Sequence, residues 1–327
     1  MRSVTSGSID CNPDRGLAAL IDPVDEAEFT TRHLGRQPLL VRGDPARVSS
    51  LCSWDALNIL LPGMRIEDKR VTVMRSGTAV ARSEYTEPIP QLRGNTGTPL
   101  RFSAIGLTES LLKGATLTID EFEELHPPLR ALAGRCEQYL SAPVCVNLYA
   151  NLVGAAPKLD LHWDDHEVWV LQVEGAKSWK LFAPTLDHPV TRRTTPPRPD
   201  AGAVFWEGEL TAGDLLYVPR GWWHSVSPRP EMPSMHLSFS CRPPWAGLIL
   251  VNFVRYLVST MPVARRNLPL RAGESTETQW YTDLREAVRA GLDEPGLLER
   301  LGDVISRFPG ERPEFGFPDV SAAGEGT

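Results

Sequence analysis

Three side chains in this chain have the types and spacing to hold a divalent metal. His162 and Asp164 stand two residues apart in the stretch LHWDDHEVWVLQVEGAKSWKLFAP, residues 161–184. On an extended strand that spacing points both side chains to one face. An imidazole nitrogen and a carboxylate oxygen side by side are a partial ligand set. His224, at the end of GDLLYVPRGWWH (213–224), is the candidate third. Two histidines and one carboxylate form a facial triad that leaves metal positions open, a donor set suited to non-haem Fe(II) and oxygen chemistry. The alternative is a strand-end histidine with a solvated aspartate, and an aromatic-rich hairpin with a core histidine.

Lys177 follows the turn Glu174-Gly175-Ala176 and alternates in phase with Trp179 and Leu181. If those residues point inward, the lysine does too, and a buried ammonium calls for an anionic partner. A dicarboxylate cosubstrate at the metal supplies one. The other reading is a lysine that reaches to the surface and pairs with Glu174. Trp163, Trp169, Trp179, Trp206, Trp222 and Trp223 crowd the same region. They either shield a reactive centre from water or fill a core.

These residues need a scaffold. The region from about 115 to 242 reads as a run of short strands. They are Ala115–Ile119, Val144–Ala150, the stretch above, strands within Phe205–Val218, and Ser234–Ser240. Short strands with many turn residues suggest a barrel or sandwich. A closed barrel has a mouth at which inward side chains converge. Before it comes a mixed portion. Pro23–His33 reads as a helix, 37–43 as a strand, and Ser53–Pro62 as a serine-capped helix stopped by proline. Val71–Met74 reads as a strand, 77–100 as loop or irregular strand, Thr108–Gly114 as a helix, and Pro127–Leu140 as an amphipathic helix. Residues 185–203 form a proline- and arginine-rich connection. After Trp245 the pattern is helical: 246–261, 278–292 and 296–308. The predicted organisation is a frayed polar start (1–22), a catalytic domain (23–244), a helical region (245–308) and a loose tail (309–327).

The chain has 327 residues, enough for one large domain with an appendage. A hydrophobic content of 42% and a charged content of 23% are those of a globular protein. The net charge of −7 offers no global basic footprint for nucleic acid. Five scattered cysteines without CxxC spacing argue against a disulfide framework and a zinc ribbon. With no apolar leader and no apolar run near the ~18 residues of a membrane span, the expected location is the cytoplasm and no membrane partner is expected.

The stretch HWDDHEVWVLQVEGAKSWKLFAP resembles the core of JmjC-type, cupin-fold 2-oxoglutarate oxygenases. It is most similar to the ribosomal-oxygenase branch, whose pattern includes HYDD and LQxEGxKxW. PRGWWH (219–224) is similar to the asparaginyl-hydroxylase-like branch. GATLTIDEFEELHPPL (114–129) and VNLYAN (146–151) look like segments preceding the barrel in these proteins. The resemblance spans roughly 23–242. It implies a mainly β fold with α elements: a double-stranded β-helix (jelly-roll) core, N-terminal α/β elements and a C-terminal helical region. It assigns Fe(II) to His162, Asp164 and His224, and the far carboxylate of 2-oxoglutarate to Lys177. Asn147, Tyr149 and Ser238 then line the cosubstrate pocket. His166 falls where the family is usually aliphatic, which places it at the substrate mouth or behind the ligands. His236 is read as structural. The implied activity is hydroxylation of a side chain in a protein or peptide, either a ribosomal protein or a natural-product precursor. Demethylation of an N-methyl group is the variant outcome. RRNLPL (265–270) loosely resembles the dimerisation region of ribosomal oxygenases and implies a homodimer. Two other classes stay open: a non-catalytic cupin that binds a ligand, and a zinc hydrolase on the same triad, for which no general base stands out.

Overall fold

The computed structural model describes residues 1–6, 15–64, 70–89, 100–152, 159–190, 202–271, 273–307 and 312. Fifteen strands are described, in three sheets. They are β1 (Arg2–Thr5), β2 (Leu39–Arg42), β3 (Val71–Arg75), β4 (Thr78–Ala79), β5 (Thr86–Pro88), β6 (Leu100–Phe102), β7 (Thr116–Ile119) and β8 (Val144–Asn151). There follow β9 (Leu159–His162), β10 (Glu167–Glu174), β11 (Ala176–Phe182), β12 (Val204–Thr211), β13 (Leu215–Val218), β14 (Trp223–Pro228) and β15 (Ser234–Cys241). The large sheet runs β1-β2-β13-β10-β15-β8-β7-β3-β4, the small one β12-β11-β14-β9, and β5 pairs with β6 alone.

From β8 onward the chain passes back and forth between the two main sheets, except that β11 and β12 follow one another in the small one. β8, β10, β13 and β15 lie in the large sheet; β9, β11, β12 and β14 make the small one, and their pairs are antiparallel. That alternation is the jelly-roll, or double-stranded β-helix, predicted from the sequence. The faces follow from two-residue periodicity. Trp169, Leu171 and Val173 of β10 and Met235, Leu237 and Phe239 of β15 pack outward, against the helices Leu17–Ile21 and Pro127–Leu140. Val168 and Val170 turn the other way, onto Trp179, Leu181, Leu210 and Val226 of the small sheet. The inner positions of β15 and β8 are therefore His236, Ser238, Asn147 and Tyr149.

Helix Pro127–Leu140 has the predicted bounds: two prolines open its first turn, and Leu129, Leu132, Ala133, Cys136 and Leu140 make its buried stripe. Helix Trp54–Leu60 is capped by Ser53, whose hydroxyl accepts from Ala56 N. The predicted helix 108–114 begins earlier, at Ala104, because Ser103 caps it. Gly106, in its first turn, is required by packing: a Cβ there would lie 2.2 Å from Glu84 O. Predicted helix 23–33 is a single turn, Glu26–Glu28, that widens to π geometry over Phe29–His33.

The polar start, predicted to fray, is part of the fold where it is described. β1 pairs in parallel with β2, and Leu17, Leu20 and Ile21 are core. Short polar strands carry little hydrophobic signal, so only the edge of β2 betrays this pairing. In the predicted loop 77–100, residues 78–79, 82–85 and 86–88 are strand, helix and strand; residues 90–99 are outside the described set, as is 191–201 of the arginine-rich connection. Of the predicted loose tail only Arg312 is described. Its guanidinium bonds Glu137 (2.9 Å), Glu123 (3.3 Å), Glu124 and Val144 O.

Pro243–Pro309 is a separate compact unit. It has helices Ala246–Thr260, Glu274–Leu292 and Leu297–Ser306 around Phe253, Leu257 and Leu297.

Candidate metal and cosubstrate site

β9 ends at His162, and Asp164 follows just beyond it. His224, near the start of β14, lies directly opposite His162 in the antiparallel register. The two rings are 4.2 Å apart between centroids. A backbone bond from Gly221 N to Asp164 O (2.8 Å) ties the turn before β14 to the segment that carries the carboxylate. The turn itself is pinned elsewhere. Arg220 N donates to Glu167, Glu167 accepts from the Tyr217 hydroxyl, and Trp222 Nε1 donates to Arg36 O. Donor atoms of His162, Asp164 and His224 lie within 4.8 Å of one another. Residues 62 positions apart in the chain thus meet as the sequence predicted.

The chemistry of this donor set fits a divalent cation. His224 Nδ1 sits 3.1 Å from Trp222 O, and only the Nδ1–H tautomer can donate there. Nε2 then keeps its lone pair, and it faces Asp164 Oδ2 at 3.5 Å. Burial, followed by repulsion from the His162 ring, pushes the His224 pKa down to about 4. The imidazole is neutral at ordinary pH, the form that ligates metal.

Lys177 enters the barrel from the minor sheet. Gly175, with φ +64°, makes the tight turn ahead of it; a Cβ there would fall 1.9 Å from Pro233 O. Lys177 is 4% exposed and does not pair with Glu174. Its Nζ lies 2.9 Å from His236 Nδ1. Burial lowers the amine's pKa to about 7. His236 stacks on Tyr149, centroids 4.8 Å apart and planes 6° off parallel. Trp179 stands between the two groups, 6.0 Å from the His224 ring and 6.2 Å from the His236 ring. Two inward polar atoms, Trp179 Nε1 and Gln172 Oε1, are buried with no hydrogen-bond partner. A polar guest in the barrel is the natural partner for such atoms.

The remaining predicted residues line the same interior. Asn147 Oδ1 accepts from Glu121 N at 3.1 Å. Ser238 sits in register between Asn147 and Val170. His166 stays outside the triad, with Nδ1 3.0 Å from Asp165 Oδ1; Arg242 holds the same oxygen at 2.7 Å. His236, read as structural, is the residue that sequence reasoning undervalued. The available signal was its position, two residues before Ser238 and hence on the same inner face. Trp169 belongs to the outer core with Phe29 and Tyr217, so it does not shield the triad. Two cavities of about 760 and 530 Å³ lie among the N-terminal elements, and neither is lined by a triad residue.

Residues 124–247 match the family model of the JmjC domain. The chain is 36% identical over 301 residues to the bifunctional lysine-specific demethylase and histidyl-hydroxylase NO66 of Drosophila mojavensis. That alignment covers 90% of this chain and 32% of the relative. It is 30% identical over 304 residues to ribosomal oxygenase 1 of Gallus gallus, covering 88% of this chain and 47% of that one. The chain thus spans about a third to a half of the length of these curated relatives. Among solved structures, Escherichia coli ribosomal oxygenase YcfD aligns with a TM-score of 0.49 and 17% identity, over 86% of this chain and 71% of that one.

Proposed function

Since the chain is a JmjC-domain protein, we propose that it is an Fe(II)- and 2-oxoglutarate-dependent oxygenase that hydroxylates a side chain of a protein or peptide. The observation that carries this is the meeting of three donors within 4.8 Å at one rim of a barrel that also buries a lysine. His162, Asp164 and His224 would hold the iron. Lys177 would hold the far carboxylate of 2-oxoglutarate, and Asn147, Tyr149 and Ser238 would line its pocket. When bound, the pair supplies oxygen activation: 2-oxoglutarate is oxidised to succinate and carbon dioxide as a substrate C–H becomes C–OH. The chain's share is orientation and exclusion of water. The Trp222 carbonyl keeps the His224 ring in its ligating tautomer, and Trp179 lines the space between the candidate donors and the amine.

The relatives' printed names, a histidyl-hydroxylase and a ribosomal oxygenase, favour a polypeptide substrate. The four described cysteines are all free, which suits a reducing cytoplasm. No described helix is long and apolar enough to cross a membrane. Homodimerisation is supported by the stripe Leu250, Val254 and Val258, all exposed and four residues apart on helix Ala246–Thr260. Light scattering reads it: the mass of two chains supports the dimer, the mass of one removes it.

The deciding experiment is anaerobic. Fe(II) and 2-oxoglutarate should give a weak visible charge-transfer band, and admitting oxygen should yield succinate. No band and no succinate, with candidate peptides present, would leave a binding protein. Peptide mass spectrometry separates hydroxylation, a gain of one oxygen, from demethylation, a loss of one methylene.

A further inference from the structure

Among the described residues, the interior of the barrel holds a basic pair with no opposing charge. Lys177 and His236 are both buried, 4% and 5% exposed. The neighbours of Lys177 in register are Leu210 on β12 and Pro228 on β14. Across the barrel stand His236 on β15, Tyr149 on β8 and Gln172 on β10, the last opposite His236 in register. Of these, His236 and Tyr149 titrate. Burial holds the His236 pKa well down and the Tyr149 pKa up, so both are neutral. Among the described residues nothing charged faces the amine, and burial alone depresses it.

A neutral imidazole has one donor and one acceptor nitrogen. The amine donates to Nδ1, so Nε2 carries the proton. The stack on Tyr149 fixes the ring plane, and with it the direction of the Nδ1 lone pair. The lysine is therefore aimed before any ligand arrives.

We propose that His236 is a positioning residue that keeps the Lys177 amine aimed in the empty barrel, and that capture of the dicarboxylate cosubstrate by this buried amine takes up one proton from solvent. This rests on Lys177 being the anchor of 2-oxoglutarate. The balance is simple: the lone pair on Nζ forms one N–H bond with a solvent proton, and no other covalent bond changes. A carboxylate brought against the nitrogen restores the charged form. With a resting pKa of about 7, the uptake is complete only above that pH.

The test uses the full chain loaded with manganese(II), which replaces iron without turnover. Calorimetric titration with 2-oxoglutarate, in two buffers of different ionisation enthalpy, counts the protons. About one per site is expected near pH 8.5, almost none near pH 6, with affinity falling about tenfold per pH unit above about pH 8. Lys177→Arg should take up none, because a guanidinium is always charged. His236→Asn keeps an acceptor near the Nδ1 position and should bind within about threefold of wild type. His236→Leu should lose about tenfold. Binding without uptake in the wild type, equal uptake in Lys177→Arg, or equal impairment of the Asn and Leu variants overturns the proposal and leaves the oxygenase reading standing. No binding of 2-oxoglutarate at any pH overturns both.

Discussion

The two barrel sheets carry their functional residues in different settings. In the large sheet, seven of the eight residues of β10 (EVWVLQVE) are buried. In the small sheet, β11 (AKSWKLF) alternates buried and half-buried positions after its first two residues. The large sheet has helices on its outer face and the other sheet on its inner face, so both sides of its strands are apolar. The outer face of the small sheet meets solvent. An inward polar residue therefore stands out in β11, where Lys177 breaks a regular alternation. In β15 and β10 the inward His236 and Gln172 are lost within an apolar run. The small sheet and its rim supply the candidate metal donors and the amine; the large sheet supplies what faces them.

Removing a donor from the rim is the strongest way to break this division of labour. His162→Ala or Asp164→Ala should lower metal affinity by at least about a hundredfold while leaving the fold intact, because both side chains are only partly buried. Metal content after gel filtration, alongside circular dichroism, checks both halves. A variant that keeps stoichiometric iron would place the metal elsewhere.

The large sheet should fail differently, by unfolding. Glu137 accepts from Val144 N and Glu123 from Val146 N, which fixes the start of β8, and Arg312 neutralises both buried carboxylates. Arg312→Ala should cost about 3–5 kcal/mol in urea denaturation. The sign with pH follows from Glu123, whose pKa burial raises. A raised carboxyl pKa means that the folded state binds the extra proton, so stability falls as pH rises through the interval above the unfolded value. The deficit of the variant should shrink toward about pH 5. A deficit independent of pH would mean that Arg312 acts by packing alone.

What the sequence discloses tracks how local each signal is. The candidate metal donors were legible as a group because HxD and the distant His224 are unusual polar residues beside apolar strands. Helix Pro127–Leu140 was legible from proline at its first turn and an unbroken buried stripe. The pairing of β1 with β2 was not, because four mostly exposed residues have no periodic signature. The contact between Arg312 and Glu137 spans 175 positions, and no local pattern announces it. His236 was visible as a residue and invisible as a partner, since its meaning lies in Lys177 across the barrel.

Function and stability should oppose each other at Lys177. Its folded pKa, about 7, lies below the ordinary lysine value of 10.5. The unfolded chain binds the extra proton between those values, so stability rises with pH across that window. Below about pH 7 the full cost of burying the charge is felt. Lys177→Met, apolar and of similar length, should thus stabilise the protein by about 2–3 kcal/mol at neutral pH. The gain should vanish toward pH 10, and 2-oxoglutarate binding should be lost. A less stable variant, or one that binds the cosubstrate normally, would show that the amine is not a charge held against burial.

Ser238 carries the smallest expected effect and the sharpest test of the two-sheet picture. It is partly buried, in register with Asn147 on one side and Val170 on the other, on the inner face of the large sheet. If that sheet supplies secondary contacts to a cosubstrate held chiefly by the minor sheet, loss of one hydroxyl removes one neutral hydrogen bond, about 1 kcal/mol. Ser238→Ala should then weaken 2-oxoglutarate binding by less than about tenfold and leave metal affinity and melting temperature unchanged. An effect as large as that of Lys177→Met would mean that the hydroxyl shares the anchoring role, and that the large sheet contributes directly to holding the ligand.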